Sequence, residues 1–161
     1  MKIIIPGFQF AGIHSGIKDD VRKKDLALIY SEEKSTAIDG VFTRNKVCAP
    51  PVTVCRKIIG RGRGRLIVIN SGIANACTGK RGMKDAQKTQ REAARLFGLK
   101  KDEVFVCSTG KIGEFLPMKK LIPGLKKAKG DLGPGYFMDA VRGIMTTDQF
   151  PKFDSVRGNL G

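Results

Sequence analysis

Two stretches of this chain, Leu66-Ile67-Val68-Ile69 and Val104-Phe105-Val106-Cys107, are apolar at every position. A strand with one wet face alternates apolar and polar residues, whereas one apolar throughout needs cover on both faces. A layered α/β architecture, sheet between helices, follows. Both runs also end abruptly. The first passes through Asn70 into Ser71-Gly72-Ile73-Ala74-Asn75-Ala76-Cys77-Thr78-Gly79, the second into Ser108-Thr109-Gly110-Lys111-Ile112-Gly113. Strand ends that dissolve into small polar residues can lie side by side and line one cleft. In the second, a Thr hydroxyl beside a Gly N–H supplies two donors a few ångströms apart, the minimum for holding charge on an acyl oxygen. Taken alone, each ending more often describes an ordinary turn that caps the following helix.

The remaining elements follow in order. Ile3 to Ile5 reads as a strand, Asp25 to Ser31 as a central one, and Thr36 to Thr43 as a third with Asp39-Gly40 as a bulge or turn. Pro50-Pro51 is expected to hold its segment extended and bar a helix. Arg61-Gly62-Arg63-Gly64-Arg65 reads as a mobile basic loop or, less often, an RNA-binding tract. A helix is expected over Met83 to Phe97, its Ala86, Ala93, Ala94 and Phe97 forming a narrow stripe and Gly98 its stop. Glu114 to Met118 opens a region of short helices, Pro123 starting a second one that stops at Gly130. Tyr136 to Ile144 is a further helix, ending in Thr146-Thr147-Asp148, which could bind a polar substrate or terminate the element. At 161 residues this is one domain, 1–161, able to bury about two-thirds of its unfolded surface. The helical stripes are too few for two sheet faces, and Arg157-Gly158-Asn159-Leu160-Gly161 reads as a hairpin without its partner, so an obligate interface with another chain is expected.

Several classes of function are disfavoured. No apolar run approaches the roughly 20 residues of a membrane span, and the apolar core of Ile3 to Ile5 is far shorter than a signal peptide's, so a soluble, cytoplasmic protein without membrane contact is expected. Cys48, Cys55, Cys77 and Cys107 form no C-x-x-C pair and His14 is the only histidine, which argues against a metal site and for reduced, mostly buried thiols. The formal net charge of +15 raises nucleic-acid binding as an alternative function. Its Lys and Arg residues are scattered and not interleaved with aromatics, as stacking on bases would prefer, so no specific nucleic acid is expected.

Four ordered motifs then carry a resemblance over nearly the whole chain. They are Gly40-Val41-Phe42-Thr43-x-Asn45 with Ala49-Pro50-Pro51-Val52, the segment Asn70 to Gly79, Ser108-Thr109-Gly110-x-Ile112-Gly113 with Leu116-Pro117-Met118, and Ile144-Met145-Thr146-Thr147-Asp148 with Phe150-Pro151-Lys152. Together they resemble the N-terminal, or α, half of the glutamate N-acetyltransferase / ornithine acetyltransferase family. The resemblance implies an α/β (α+β) sandwich of sheets layered with helices and completed by a β chain. That β chain, cut from the same precursor by self-cleavage, begins with a nucleophilic threonine. It takes an acetyl group from N-acetylornithine and gives it to glutamate, a step of arginine biosynthesis; some members also accept acetyl-CoA as a substrate, and no further cofactor is implied. An α2β2 heterotetramer is the implied assembly. Residue by residue, Thr109 and Gly110 match the family's oxyanion-hole pair, and Thr146, with Thr147 beside it, its substrate-contacting threonine. Ile73 stands where the family usually has Asn. The family's substrate-binding lysine, cleavage site and nucleophile are expected beyond Gly161, so catalysis is expected only together with the β chain.

Overall fold

The computed structural model describes residues 3–156 and Gly158. The segment read as an unpartnered hairpin, 157–161, lies outside the described residues apart from Gly158. Four strands, β1 (Phe8–Ile13), β2 (Leu26–Ser31), β3 (Leu66–Ile73) and β4 (Val104–Lys111), form one open sheet in the order β1-β2-β3-β4. The first three pair antiparallel, with Ala11 opposite Leu28 and Leu28 opposite Val68. β3 and β4 run parallel, Ile69 opposite Cys107 and Ser71 opposite Thr109. Parallel neighbours need a crossover, and the long helix α2 (Gly79–Phe97) supplies it.

One face of the sheet is well covered. Ala11, Leu26, Leu28, Leu66, Val68, Val104 and Val106 meet α1 (Pro50–Arg56) through Val54, α2 through Ala86 and Ala93, and α3 (Met118–Gly130) through Leu121, Leu125 and Ala128. The other face is covered more thinly, by the short α4 (Phe137–Ile144), whose Phe137 and Ala140 rest on Phe10 and Ala27, and near the start of β4 by Gly64 and Ile38 beside buried Phe105. Small residues let it come close: a Cβ on Gly12 would fall 1.8 Å from the Asp139 carbonyl oxygen, and one on Gly143 3.0 Å from the Ala27 Cβ. Ile29, Ile67 and Ile69 remain half-buried on this side.

The layered α/β expectation holds, with a single four-stranded sheet among the described residues, but several elements differ from their sequence reading. The chain over 3–5 is no strand, and Ile4 and Ile5 are exposed. Pro6 offers no N–H to a ladder and Gly7 turns at φ 76°, so pairing starts only at Phe8. No strand forms over 36–43; it makes one isolated bridge, Ala37 to Arg63, because both edges of β2 are already taken by β1 and β3. Pro50 and Pro51 begin α1 rather than barring it, for in the first turn their missing N–H groups would have no helical partner anyway. Pro123 lies inside one continuous helix, α3, forfeiting only a bond to the carbonyl of exposed Lys119. The Arg61–Arg65 tract is built in: Gly62 caps a 3-10 turn over Ile59–Arg61, and the Arg65 guanidinium donates to the Tyr30 hydroxyl at 2.8 Å and to the Ser31 and Glu32 carbonyls at 3.0 Å. Of the cysteines, Cys55 is buried and Cys48 half-buried, but Cys77 and Cys107 are exposed, contrary to the mostly buried thiols expected.

Candidate functional site

The parallel pair ends where both strands turn sharply. Gly72 and Gly110 face each other across the ladder with φ of 109° and 130°. A Cβ on Gly110 would lie 2.2 Å from the Gly72 carbonyl carbon, so only glycine allows this approach. Side chains alternate along β4, which puts Thr109 on the same face as Cys107 and as α4. There the Ser71 hydroxyl donates to the Gly143 carbonyl of α4 at 2.6 Å, tying the helix end to the strand end. The residues after α4 therefore pass over the ends of β3 and β4.

Between them opens a cleft of about 740 Å³, lined by Gly72, Ile73, Thr109, Gly110 and Lys111 on one side and by Thr146 and Thr147 on another. The four residues singled out from sequence, Thr109, Gly110, Thr146 and Thr147, thus share one cavity. Thr146-Thr147-Asp148 does terminate the element, the Asp148 carboxylate accepting the Thr146 N–H at 3.3 Å and closing the turn, and both threonines line the cleft. A hydrogen bond from Lys152, at 2.8 Å, foremost among the causes, lowers the Asp148 pKa, so this turn carries a charged carboxylate. The second strand end divides its work. Gly72 and Ile73 line the cleft, while Asn75 and Thr78 serve the start of α2, the Thr78 hydroxyl donating to Asn75 Oδ1 at 2.8 Å and Asn75 Nδ2 donating to the Gly82 carbonyl at 3.0 Å.

A third wall has no mark of its own in the sequence, where Gly16 to Asp20 shows only the charge of a loop. It consists of Ile17, Lys18, Asp19, Asp20 and Lys23, from the connection between β1 and β2. The Arg22 guanidinium donates to Asp20 at 2.9 and 3.0 Å and holds that carboxyl down to about 2, so it remains ionised at the rim. Asp25, fully buried at the head of β2, organises the loop. Its carboxylate accepts from Ser15 N–H at 2.6 Å, Ser15 hydroxyl at 2.8 Å, Ile17 N–H at 2.8 Å and Lys18 N–H at 3.0 Å. The signal that could have found this wall is Asp25 itself: an acidic residue heading an apolar strand is buried, and a buried carboxylate must gather donors.

Such a cleft, with a threonine and a positive-φ glycine at one strand end and hydroxyls opposite, can bind a polar acyl compound and aim donors at its carbonyl. Among the described residues no helix is long and apolar enough to cross a membrane, and no His, Cys, Asp or Glu side chains gather as metal ligands. Several cations lie on the chain's own aromatics, Arg81 at 4.0 Å over Phe115, Arg65 at 5.2 Å over Tyr30 and Lys129 at 5.4 Å over Phe97.

The arginine biosynthesis bifunctional protein ArgJ of Caldanaerobacter subterraneus subsp. tengcongensis is 44% identical over 160 residues, 99% of this chain and 39% of that protein. The protein of the same name from Bifidobacterium longum is 41% identical over 157 residues, 96% of this chain and 40% of its own length. The chain thus spans about two-fifths of the length of these curated relatives. Among solved structures, the ornithine acetyltransferase of Mycobacterium tuberculosis complexed with ornithine matches with a TM-score of 0.86 at 40% identity, over 90% of this chain and 78% of that one. The arginine biosynthesis bifunctional protein ArgJ of Bacillus halodurans matches with a TM-score of 0.81 at 38% identity, over 90% and 75%. The model of the ArgJ family takes in residues 9–161. A match of that extent, on a fold shared with these two structures, means that this chain belongs to the ArgJ family.

Proposed function

We propose that this chain is the α portion of an acetyltransferase that moves an acetyl group from N-acetylornithine to glutamate. It supplies the oxyanion hole and part of the substrate site, and a β chain from the same precursor, in an α2β2 assembly, supplies the nucleophile. The observation that carries the reading is the meeting of Thr109, Gly110, Thr146 and Thr147 in one cleft, although they come from segments far apart in sequence. Support also comes from the relatives' names and from the ornithine held by the Mycobacterium tuberculosis protein.

The chemistry runs in two matched halves. The hydroxyl of the β chain's N-terminal threonine attacks the acetyl carbonyl of N-acetylornithine, its own terminal amine taking the proton. As the C–O bond forms, the carbonyl π electrons move onto oxygen, and the Thr109 hydroxyl and Gly110 N–H donate to that oxyanion. Collapse breaks the C–N bond, the proton passes to the leaving nitrogen, and ornithine departs. The amine of glutamate then attacks the acyl-threonine, the same two donors hold the second oxyanion, and N-acetylglutamate leaves with the threonine hydroxyl restored. Thr146 and Thr147 hold the polar substrate against this carbonyl.

Thr109→Ala in the complete enzyme is the test. Loss of one such donor lowers kcat by about 10²–10³-fold while KM changes little, because the bond matters mainly in the transition state. Unchanged turnover removes Thr109 from the mechanism.

A further inference from the structure

We infer that Lys18 is a positioning residue: its ammonium binds the Thr146–Thr147 wall to the wall built on Gly72, and so fixes the width of the cleft. The inference rests on the acetyl-transfer reading only for its kinetic consequence. The Lys18 Nζ donates to the Met145 carbonyl at 2.6 Å and to the Lys24 carbonyl at 2.7 Å. Met145 directly precedes Thr146 and lies 127 positions along the chain from Lys18, so this bond joins distant parts of the sequence at the site. The stem of the same side chain lies on the strand end. A Cβ on Gly72 would sit 3.2 Å from Lys18 Cγ, and Gly72 is the residue against which Gly110 is set.

The anchor is itself anchored. The Lys18 N–H is held by buried Asp25, whose own carbonyl accepts the Ser71 N–H at 2.9 Å. From Asp25 a continuous chain of contacts thus reaches the end of β3 through the backbone and the Thr146 segment through the Lys18 ammonium. Burial lowers the Lys18 pKa, with Asp25 acting in the opposite sense. An ammonium placed there against that tendency, and directed at two carbonyls, shapes backbone rather than pairing with a surface acid. Of its three N–H donors, two are spent in this way.

A nearby lysine provides the control. Lys120 of α3 donates to the Gly16 carbonyl at 2.8 Å, bracing the same loop without touching the Thr146 segment. In the complete enzyme, Lys18→Met keeps the stem and removes both charged hydrogen bonds. It should raise KM for N-acetylornithine and glutamate about tenfold or more, with a much smaller change in kcat, while Lys120→Met leaves KM within about twofold. Amide hydrogen exchange gives a readout free of activity: peptides over 145–149 lose protection in Lys18→Met but not in Lys120→Met, and those over 66–70 keep it in both. Equal KM shifts in the two variants, or unchanged exchange over 145–149, overturns the inference. A wild-type enzyme that transfers no acetyl group overturns the functional reading alone, and the exchange result then decides the anchor by itself. If Lys18→Met does not fold, Lys18→Gln, which removes the charge and keeps a neutral donor, takes its place in the same exchange measurement, and unchanged protection over 145–149 overturns the inference.

Discussion

Replacing Gly110 by alanine tests the backbone on which the cleft depends. Gly110 has φ +130°, where an L side chain is strained; holding alanine there costs about 1–3 kcal/mol. Its Cβ would lie 2.2 Å and 2.4 Å from the carbonyl carbon and oxygen of Gly72 and 2.7 Å from the Ile73 nitrogen. These are backbone atoms of a paired strand, not the tip of a flexible side chain, so the overlap adds a further ~1–3 kcal/mol of overpacking. Gly113, with φ +83°, has nothing within 4 Å of an added Cβ and meets only the first cost. Gly72, with φ +109°, is intermediate, since its Cβ would press on Ile17 Cγ2 and Lys18 Cγ at 3.2 Å, side-chain atoms that can yield. Melting temperatures of the three variants, each made in the complete enzyme, should therefore fall in the order Gly113→Ala, Gly72→Ala, Gly110→Ala. At ~2–4 °C per kcal/mol, Gly110→Ala should melt roughly 10 °C below wild type and Gly113→Ala about half that far. Turnover in Gly110→Ala should also fall about a hundredfold, because its N–H can no longer point where it did. Equal melting of Gly110→Ala and Gly113→Ala refutes the close approach of the two strand ends.

Asp85 has a buried Oδ2 without a hydrogen-bond partner and Arg81 only at 4.0 Å, and burial raises its pKa above 3.8. The folded state thus disfavours the charged form: the protein loses stability as pH rises from 3.8 through the folded pKa, so Asp85→Asn should raise the melting temperature at neutral pH and lose that gain in acid. If the cations served a nucleic acid, affinity would fall steeply with salt; only weak binding that vanishes near physiological salt is expected, and tight binding there overturns the enzyme reading. Expressed without a β chain, this chain should bind ANS through its half-covered sheet face, whereas a monomer with a sharp melt and no ANS binding contradicts an obligate interface.

What the sequence conveyed best was what a short window contains. β2, β3 and β4 were legible because their apolar runs leave no other covering, and α2 ended at Gly98, at φ 65°, because a left-handed residue stops a helix. The four cleft residues are legible through motif resemblance; strand-end chemistry points only to Thr109 and Gly110, and the approach of Thr146 and Thr147 depends on the long-range bond from Ser71 to the end of α4. The failures were contests decided at long range. Residues 36–43 have strand-like composition, yet a strand needs a free edge, and the edges of β2 were taken by segments before and far after it. Pro50-Pro51 looks locally like a helix breaker, but the rule against proline in helices does not apply to the first turn, where both lie. The Lys18 wall is not legible locally, because a lysine among lysines carries no mark; only the carbonyl it reaches gives it a role.

The half-covered face and the cleft are one physical problem. Along β4, Phe105, Cys107 and Thr109 point to the same side, and the parallel register sets Ile67, Ile69 and Ser71 beside them. α4 lies over Phe10 and Ala27, toward β1 and β2, with half-buried Ile69 at its margin, and leaves Ile67 half-buried and Cys107 exposed. That thinly covered strip runs along the strands and ends at Thr109, at the mouth of the cleft. On the proposed reading, a β chain layered on the strip to bury its isoleucines is led along the strand direction to the oxyanion donors. Completing the core and delivering a nucleophile then become the same contact, since apolar burial along the strip would supply most of the association energy and the strand ends would set where the reactive threonine stops.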